Sequence, residues 1–286
     1  MPELPEVEIT TRRLDSALGG ATVESAMAPG MVALKSVNPP LEALVGLEVS
    51  GVRRVGKMPV VEAGGEDERL ALLVHMMSAG RLQLFAERAS LRDRRSRILI
   101  RLTDGRELRL REFGTKQRAW GKVLHADDVA AEDMVATLGP EAWPAPPIDE
   151  LTELLDRPGH LHPLLRDQRA IAGIGRSWVD EILWETELSP FRKGADLDPA
   201  AIARLRLACE EILGRAIDHY EEVVGDSLPD KAPMPLKVHA RQGQPCPRCG
   251  AILEAVFFRD YVTTYCPAEQ TGGRVLKDRR LSRLLK

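Results

Sequence analysis

The pattern of apolar and polar positions changes along the chain, from strand-like alternation in the first part to helical spacing in the second. Residues 97–102 and 107–111 both follow the alternating pattern, and Asp104 and Gly105 lie between them. An Asp-Gly dipeptide between two such segments predicts a β-hairpin. Patterning of this kind dominates from about residue 21 to residue 125.

Helical spacing appears at the start of the chain and again after residue 148. Residues 1–18 have a rough apolar face that Gly19-Gly20 ends, formed by Val7, Ile9, Leu14 and Leu18. Three later segments share the helical period: residues 148–155, 177–184 and 199–224. The last begins at Pro199, where the missing N–H costs nothing. A β-rich part followed by a helical part predicts an α+β protein.

Proline-rich residues 139–147 separate the two parts and predict a linker. Residues 226–235 predict a loop after the last long helix, and a basic tail begins at Arg274. The 286 residues are enough for about two domains, and 44% of them are hydrophobic, which is ample for a core. No apolar run reaches membrane-spanning length and the start lacks the features of a signal peptide, so we expect a cytoplasmic protein.

The net charge of −3 argues against a nucleic-acid-binding protein, but the charges are segregated. Residues 88–122 hold twelve Lys/Arg against four Asp/Glu, and residues 231–286 hold eleven against four. Such segregation can focus a positive potential on one face. The alternative is that these are ordinary solvated strand faces and a tail that aids solubility.

Two short motifs carry candidate chemistry. Removal of Met1 would leave a secondary amine on Pro2 beside the carboxylate of Glu3, a pairing suited to Schiff-base chemistry with acid–base assistance. A terminal α-amine has a pKa of about 7.7 to 8.0, so part of it is unprotonated near neutrality. The second motif is Cys246-x-x-Cys249 with Cys266, which has the spacing of a zinc ribbon.

Several segments in the same order resemble the formamidopyrimidine-DNA glycosylase and endonuclease VIII family of base-excision repair enzymes. They are residues 1–8 (MPELPEVE), 52–57 (VRRVGK), 75–82 (HMMSAGRL), 138–141 (LGPE), 167–175 (DQRAIAGIG), 245–250 (PCPRCG) and 265–266 (YC). The resemblance extends from Pro2 to about residue 273. Each segment alone is weak evidence, but the ordered set is specific.

The resemblance implies a domain organisation, with DNA bound in the cleft between two domains. The implied parts are a catalytic domain with an N-terminal helix and a β-sandwich (1–125), a linker (126–147), a helix-two-turn-helix DNA-binding domain (148–235), a zinc-finger-like β-hairpin (236–273) and a basic tail (274–286). We expect a monomer that binds double-stranded DNA with damaged bases or abasic sites and does not bind membranes.

The resemblance also implies roles for residues of the first domain. Pro2 would attack C1′ of the damaged nucleotide, Glu3 would protonate the sugar ring oxygen, Glu6 would be a second carboxylate nearby, and Lys57 would contact phosphate. Residues implied to lie at the DNA or in the gap left by the everted nucleotide are His75, Met77, Arg118 and Trp120. Met77 would replace the methionine that the family has one position later, where this chain has Ser78. Alternatively, Arg118 and Trp120 are core residues of a strand.

Phosphate contacts are implied at the helix-two-turn-helix and at the finger. Gly173 and Gly175 would expose backbone N–H groups at a helix N-terminus, with Arg176 where the family has asparagine and His162 where it has lysine. In the finger, Tyr261 takes the place of an arginine. Arg259, two residues earlier on the same strand face, is either its substitute or a solvated residue.

The resemblance places Glu269 at the position of the fourth zinc-binding cysteine. Three outcomes stay open: a zinc site of Cys246, Cys249, Cys266 and the Glu269 carboxylate, a weaker site of three thiolates, or a hairpin without zinc.

The function that the resemblance implies is a bifunctional DNA glycosylase and AP lyase. The alternatives are a damage-binding protein that has lost catalysis on the same scaffold, and a zinc-ribbon regulator unrelated to repair. The loop 225–237 is shorter than the lesion-capping loop of 8-oxoguanine enzymes, so oxidised pyrimidines, abasic sites or bulky lesions are candidate substrates.

Overall fold

A computed structural model describes residues 2–65, 68–90, 92–226, 229–231, 233–258 and 261–276. The helices are α1 (Leu4–Leu18), α2 (Asp133–Ala136), α3 (Ile148–Leu155), α4 (Leu161–Arg166), α5 (Arg176–Glu185), α6 (Pro199–Val223) and α7 (Pro267–Gln270). The strands are β1 (Val23–Met27), β2 (Val49–Val55), β3 (Met58–Gly64), β4 (Arg69–His75), β5 (Gly80–Phe85), β6 (Ser96–Leu102), β7 (Glu107–Glu112), β8 (Trp120–His125), β9 (Glu254–Phe257) and β10 (Val262–Tyr265). The predicted α+β class is confirmed.

The chain divides into two compact units. The first comprises Met1–Thr137 and Ile217–Pro233, and the second comprises Leu138–Ala216 and Met234–Lys286. Helix α6 therefore contributes its last turns to the first unit. Residues 277–286 of the basic tail lie outside the described residues. Among the helices that the structure describes, none combines the length and the apolar character needed to cross a membrane.

The first unit is a β-sandwich flanked by α1. One sheet has the strand order β1-β6-β7-β5 and the other has the order β2-β3-β4-β8, all antiparallel. Apolar residues of both sheets share one core, which includes Leu72 and Val123 from one sheet and Ile98 and Leu110 from the other. The predicted hairpin is β6–β7, where Arg101 pairs with Glu107 and Gly105 has a φ of +94°, the region that favours glycine.

The second unit is helical, with a small hairpin of β9 and β10. Helix α3 buries Leu151, Leu154 and Leu155, and most of α5 is buried. The hairpin packs on α5 through a separate apolar cluster of Trp184, Val238, Cys246, Leu253 and Cys266. The proline-rich stretch 139–147 is attached to this unit: Glu141 bridges to Ala172, and Ala142 is fully buried.

Candidate functional site

The first turn of α1 fixes Glu3 and Glu6 relative to each other. Glu3 is the N-cap, and its backbone N–H donates to Glu6 Oε2 at 2.8 Å while its side chain accepts from the Glu6 backbone. This reciprocal capping satisfies the backbone donors that a helix start leaves unpaired. The hydroxyl of Tyr220 donates to the other Glu6 oxygen at 2.6 Å. Pro2, Glu3 and Glu6 are all buried.

Two contacts between α1 and β2 show how the two elements run relative to each other. Asp15 Oδ1 accepts the Val52 N–H at 2.7 Å. Nearer the start of the helix, Glu8 Oε2 accepts from Arg54 Nε at 2.9 Å. Moving toward the start of α1 therefore corresponds to moving along β2 toward its end. The turn after β2 contains Lys57. Burial by itself raises the pKa of Glu8, but hydrogen bonds from Arg54 and Arg12 lower it below its usual range.

One end of the sheet β2-β3-β4-β8 collects four of the predicted residues. Lys57 lies in the β2–β3 turn, His75 ends β4, and Trp120 begins β8 directly opposite His75. The two rings stack, with centroids 5.5 Å apart. His75 Nδ1 accepts the backbone N–H of Met77 at 3.1 Å, and Met77 has a positive φ of 50°. Burial, together with the nearby Lys57 ammonium, lowers the pKa of His75, so the ring is neutral at neutral pH.

The segment before β8 exposes Arg118, and its neighbour Ala119 is held by Glu112 and Arg97. The Ala119 N–H donates to Glu112 Oε2 at 2.8 Å, and Arg97 Nε donates to the Ala119 carbonyl at 3.2 Å. Ala119 is fully buried, whereas Trp120 is half-buried and Arg118 is exposed. The buried, hydrogen-bonded Ala119 therefore lies between the exposed Arg118 and the half-buried Trp120 that begins β8.

In the second unit, the glycine-containing turn ends at the start of α5. Gly173 has a φ of +103°, a conformation that glycine adopts without strain, and its N–H donates to Gln168 Oε1 at 3.0 Å. Gly175 is the N-cap of α5, and the exposed Arg176 follows it. The amide of Gln168 also donates to the Ile174 carbonyl at 2.9 Å, so one side chain holds the whole turn.

Tyr261 of the hairpin is enclosed by residues of α4 and α5. Its ring stacks on His162 at 5.6 Å, and the guanidinium carbons of Arg166 and Arg176 lie 4.0 and 5.9 Å from its centroid. His162 is only 3% exposed, with Nε2 3.2 Å from Asp180 Oδ1 and 3.1 Å from Thr263 Oγ1. His162 is therefore buried rather than presented to solvent, and its ring lies against Tyr261. Arg259 lies outside the described residues.

The three predicted cysteines and Glu269 come together in the second unit. Their ligand atoms all lie within 4.8 Å of one another. Cys246 Sγ lies 3.7 Å from Glu269 Oε2, and Cys249 Sγ lies 3.4 Å from Cys266 Sγ. Two thiolates of a tetrahedral zinc site are about 3.8 Å apart when Zn–S bonds are about 2.3 Å. The donor set therefore fits zinc.

Several residues of these sites were not predicted. Tyr220 and Arg97 are remote in sequence from the groups that they hold, and no local motif marks them. Arg166 directly precedes the segment 167–175, so its position next to a recognised motif was a usable signal. Glu181 of α5, where the family resemblance already places a carboxylate, accepts the N–H groups of residues 237, 238 and 239 and so holds the chain entering the hairpin. Burial raises the pKa of Glu181.

Most cations of the basic stretch 88–122 are already engaged. Among the residues that the structure describes, seven form ion pairs with carboxylates: Arg88, Arg97, Arg101, Arg106, Arg109, Arg111 and Lys122. The other five are exposed: Arg92, Arg94, Arg95, Lys116 and Arg118. The sequence count therefore overstates the positive charge that faces solvent, and that charge is concentrated in two loops.

Three family descriptions match consecutive parts of the chain. Residues 1–121 match the formamidopyrimidine-DNA glycosylase N-terminal domain, residues 138–227 match the formamidopyrimidine-DNA glycosylase H2TH domain, and residues 243–268 match a zinc finger found in FPG and IleRS. A formamidopyrimidine-DNA glycosylase of Roseiflexus sp. is 33% identical over 279 residues, covering 93% of this chain and 98% of the relative.

Solved structures of Lactococcus lactis Fpg are also similar. The complex with DNA containing N7-benzyl-Fapy-dG has a TM-score of 0.83 at 25% identity and covers 94% of this chain and 100% of that chain. The complex with abasic-site DNA has a TM-score of 0.83 at 25% identity and covers 94% and 99% of the two chains.

Proposed function

This chain belongs to the formamidopyrimidine-DNA glycosylase family, and we propose that it removes damaged bases from DNA through a covalent intermediate on Pro2 and then cleaves the strand. The observation that carries the proposal is the buried start of α1, where Pro2 precedes a Glu3 that is fixed by reciprocal capping with Glu6. A nucleophile beside a positioned acid is the arrangement that such chemistry requires.

In the proposed reaction, the unprotonated Pro2 amine attacks C1′, and the damaged base leaves with the electron pair of the glycosidic bond and takes up the proton that the Pro2 nitrogen loses. The Glu3 carboxyl group protonates the ring oxygen, so the sugar opens and an iminium forms between Pro2 and C1′. Loss of a C2′ proton then expels the 3′ phosphate by β-elimination, and δ-elimination releases the 5′ phosphate. Glu6 orients the Glu3 backbone, and Lys57 holds a phosphate next to the lesion.

Base removal requires the nucleotide to leave the stack, at a cost of a few kcal/mol. We assign the filling of the resulting gap to Met77, Arg118 and Trp120. The stacking of Trp120 on His75 and the anchoring of Ala119 support this assignment, because both hold the inserted groups before DNA binds.

We assign a phosphate contact in the second unit to Gly175 at the start of α5 together with Arg166 and Arg176, because the Gly173 N–H already donates to Gln168. Both guanidinium groups lie against the Tyr261 ring, which limits their movement and supports a contact with a fixed anion. Duplex DNA with damaged bases or abasic sites is the proposed partner.

We propose that Cys246, Cys249, Cys266 and the Glu269 carboxylate hold zinc. Zinc would be structural there, since it would join the two cysteine-bearing ends of the hairpin. Arg248 Nε donates to Glu269 Oε1 at 3.0 Å, which leaves the other oxygen directed at Cys246. Oriented carboxylates of this kind are common around metal sites.

The proposed lesions are oxidised pyrimidines, abasic sites or bulky adducts, because loop 225–237 is short. Asp230 of this loop accepts hydrogen bonds from Gln83 and Arg111, each at 3.2 Å, which holds it on the sandwich. Competitive excision from a panel of lesion-containing duplexes tests this preference, and faster removal of 8-oxoguanine than of any other lesion contradicts it.

Borohydride trapping on an abasic-site duplex tests the central proposal. We expect wild-type protein, after mass spectrometry shows Met1 removal, to give a covalent adduct that maps to the N-terminal tryptic peptide, residues 2–12. Pro2→Gly and Glu3→Gln should lose it, whereas Glu8→Gln on the same helix should keep it. An adduct on Lys57 would contradict the role of Pro2, and tight binding without any adduct favours the damage-binding alternative.

A further inference from the structure

A tight turn between β1 and β2 presents two apolar side chains to solvent. The Ala33 N–H donates to the Gly30 carbonyl at 3.1 Å, so Met31 and Val32 are the central residues of the turn. Met31 is 85% exposed and Val32 is 68% exposed. Val32 has a φ of +56°, which is strained for a β-branched residue and normal for glycine. The chain therefore keeps a valine where glycine would fold more easily.

The turn is fixed by Arg97, which is only 2% exposed. Its Nη2 donates to the Met31 carbonyl at 2.8 Å, while its Nε donates to the Ala119 carbonyl at 3.2 Å. Gly30 permits this approach, because a Cβ there would lie 2.7 Å from Arg97 Nη1. One guanidinium thus holds the Met31–Val32 turn and the Ala119 segment side by side.

After the turn, residues 33–35 run beside the start of β8 and form hydrogen bonds with it. The Gly121 N–H donates to the Ala33 carbonyl at 2.8 Å, and the Lys35 N–H donates to the Gly121 carbonyl at 2.8 Å. The turn is therefore attached on both sides of Trp120. Four exposed cations lie on the loops that Arg97 and Gln117 connect: Arg94, Arg95, Lys116 and Arg118.

We propose that Met31 and Val32 form a second DNA-contacting wedge beside Arg118 and Trp120, entering the minor groove of the duplex. This inference rests on the proposed function. Neighbouring cations would hold the phosphates, and rigid apolar side chains next to them are what minor-groove proteins use to deform DNA. Local backbone strain that is held by surrounding structure is a further property of binding sites.

The test measures the affinity of the full chain for a duplex with a tetrahydrofuran abasic-site analogue, over a series of salt concentrations. We expect Met31→Ser and Val32→Gly each to weaken binding about fivefold to tenfold, as for an apolar side chain that binding only partly buries. The salt dependence should not change, since apolar contacts release no counterions. Val32→Gly should keep or raise the Tm, because glycine relieves the strained φ.

Met134→Ser is the matched control, because Met134 is an exposed methionine on α2, an element separate from the Met31–Val32 turn. It should bind like wild type. Wild-type affinity in both turn variants would overturn the proposed wedge. Dimerisation of the wild-type protein that both variants abolish would also overturn it, because the turn would then contact a second copy of the chain. If wild-type protein itself does not prefer the damaged duplex, the proposed function fails instead.

Discussion

At the scale of single residues, the carboxylate of Glu6 determines the geometry at the start of α1. One oxygen accepts the Glu3 N–H and the other accepts the Tyr220 hydroxyl, so a residue 214 positions away fixes the helix start. Burial, and then the Glu6 charge, raise the pKa of Tyr220, which keeps its hydroxyl protonated and donating at neutral pH. We therefore propose that Tyr220 positions Glu3 through Glu6.

Tyr220→Phe tests this role. Losing the hydroxyl leaves a buried Glu6 oxygen without its donor, at a cost of about 1–3 kcal/mol in stability. We expect single-turnover trapping on abasic-site DNA to slow about tenfold, equal to a barrier about 1.4 kcal/mol higher, with little change in Kd.

Thr10→Val is the control for this change. The Thr10 hydroxyl donates to the Glu6 backbone carbonyl at 2.7 Å, one turn further into the helix, and does not touch the carboxylate. We expect a loss of stability without a loss of trapping rate. Equal slowing in both variants would assign the effect to general loosening of α1.

At the scale of elements, the hairpin brings three thiols and one carboxylate into a single cluster. Trp184 Nε1 donates to Cys246 Sγ at 3.4 Å, and Arg248 lies over the Trp184 ring while bonding Glu269. The site is therefore continuous with the packing of the hairpin on α5. A carboxylate is a weaker zinc ligand than a thiolate, so this hairpin should release zinc more readily than a site of four cysteines.

Substitution of Glu269 tests the donor set by competition with a chromogenic chelator. We expect Glu269→Cys to bind zinc more tightly than wild type and Glu269→Gln to bind it at least about tenfold more weakly. Glu254→Gln changes a carboxylate of the same hairpin outside the cluster and should behave like wild type. Unchanged affinity in both Glu269 variants would show that the three thiolates suffice.

At the scale of the whole molecule, the charge that can meet DNA is smaller than the sequence suggests. In the stretch 88–122, ion pairs between described residues engage seven of the twelve Lys/Arg, and the other five are exposed in the loops around residues 92–95 and 116–118. A chain with a net charge of −3 can still attract phosphate when its exposed cations are local.

One exposed lysine and one ion-paired lysine of the stretch 88–122 test whether only the exposed cations contact DNA. We expect Lys116→Gln to reduce the slope of log Kd against log salt by about 0.9, the value for one phosphate contact. Lys122 is paired with Glu132 at 2.6 Å, so Lys122→Gln should leave the slope unchanged. A smaller slope for Lys122→Gln with an unchanged slope for Lys116→Gln would show that DNA contacts Lys122 and not Lys116.

The sequence pattern was sufficient to predict those features that depend on residues close together in the chain. The alternation around Asp104-Gly105 predicted the β6–β7 hairpin, helical periodicity predicted α3 with its observed bounds and α6 to within one residue, and cysteine spacing predicted the metal-ligand cluster. Family resemblance indicated the sandwich and the start of α1. Each of these features is encoded within one segment or by an ordered set of short motifs.

Only the tertiary structure decided which distant groups meet. Folding placed Tyr220 on Glu6, buried His162 against Asp180, and used Arg97 to join two loops. These contacts form because burial of a charge or a polar group requires a partner, and the available partner is set by packing of the whole chain. Local periodicity contains no information about that choice, so the sequence did not show that Tyr220 would meet Glu6, that Asp180 would meet His162, or that Arg97 would join two loops.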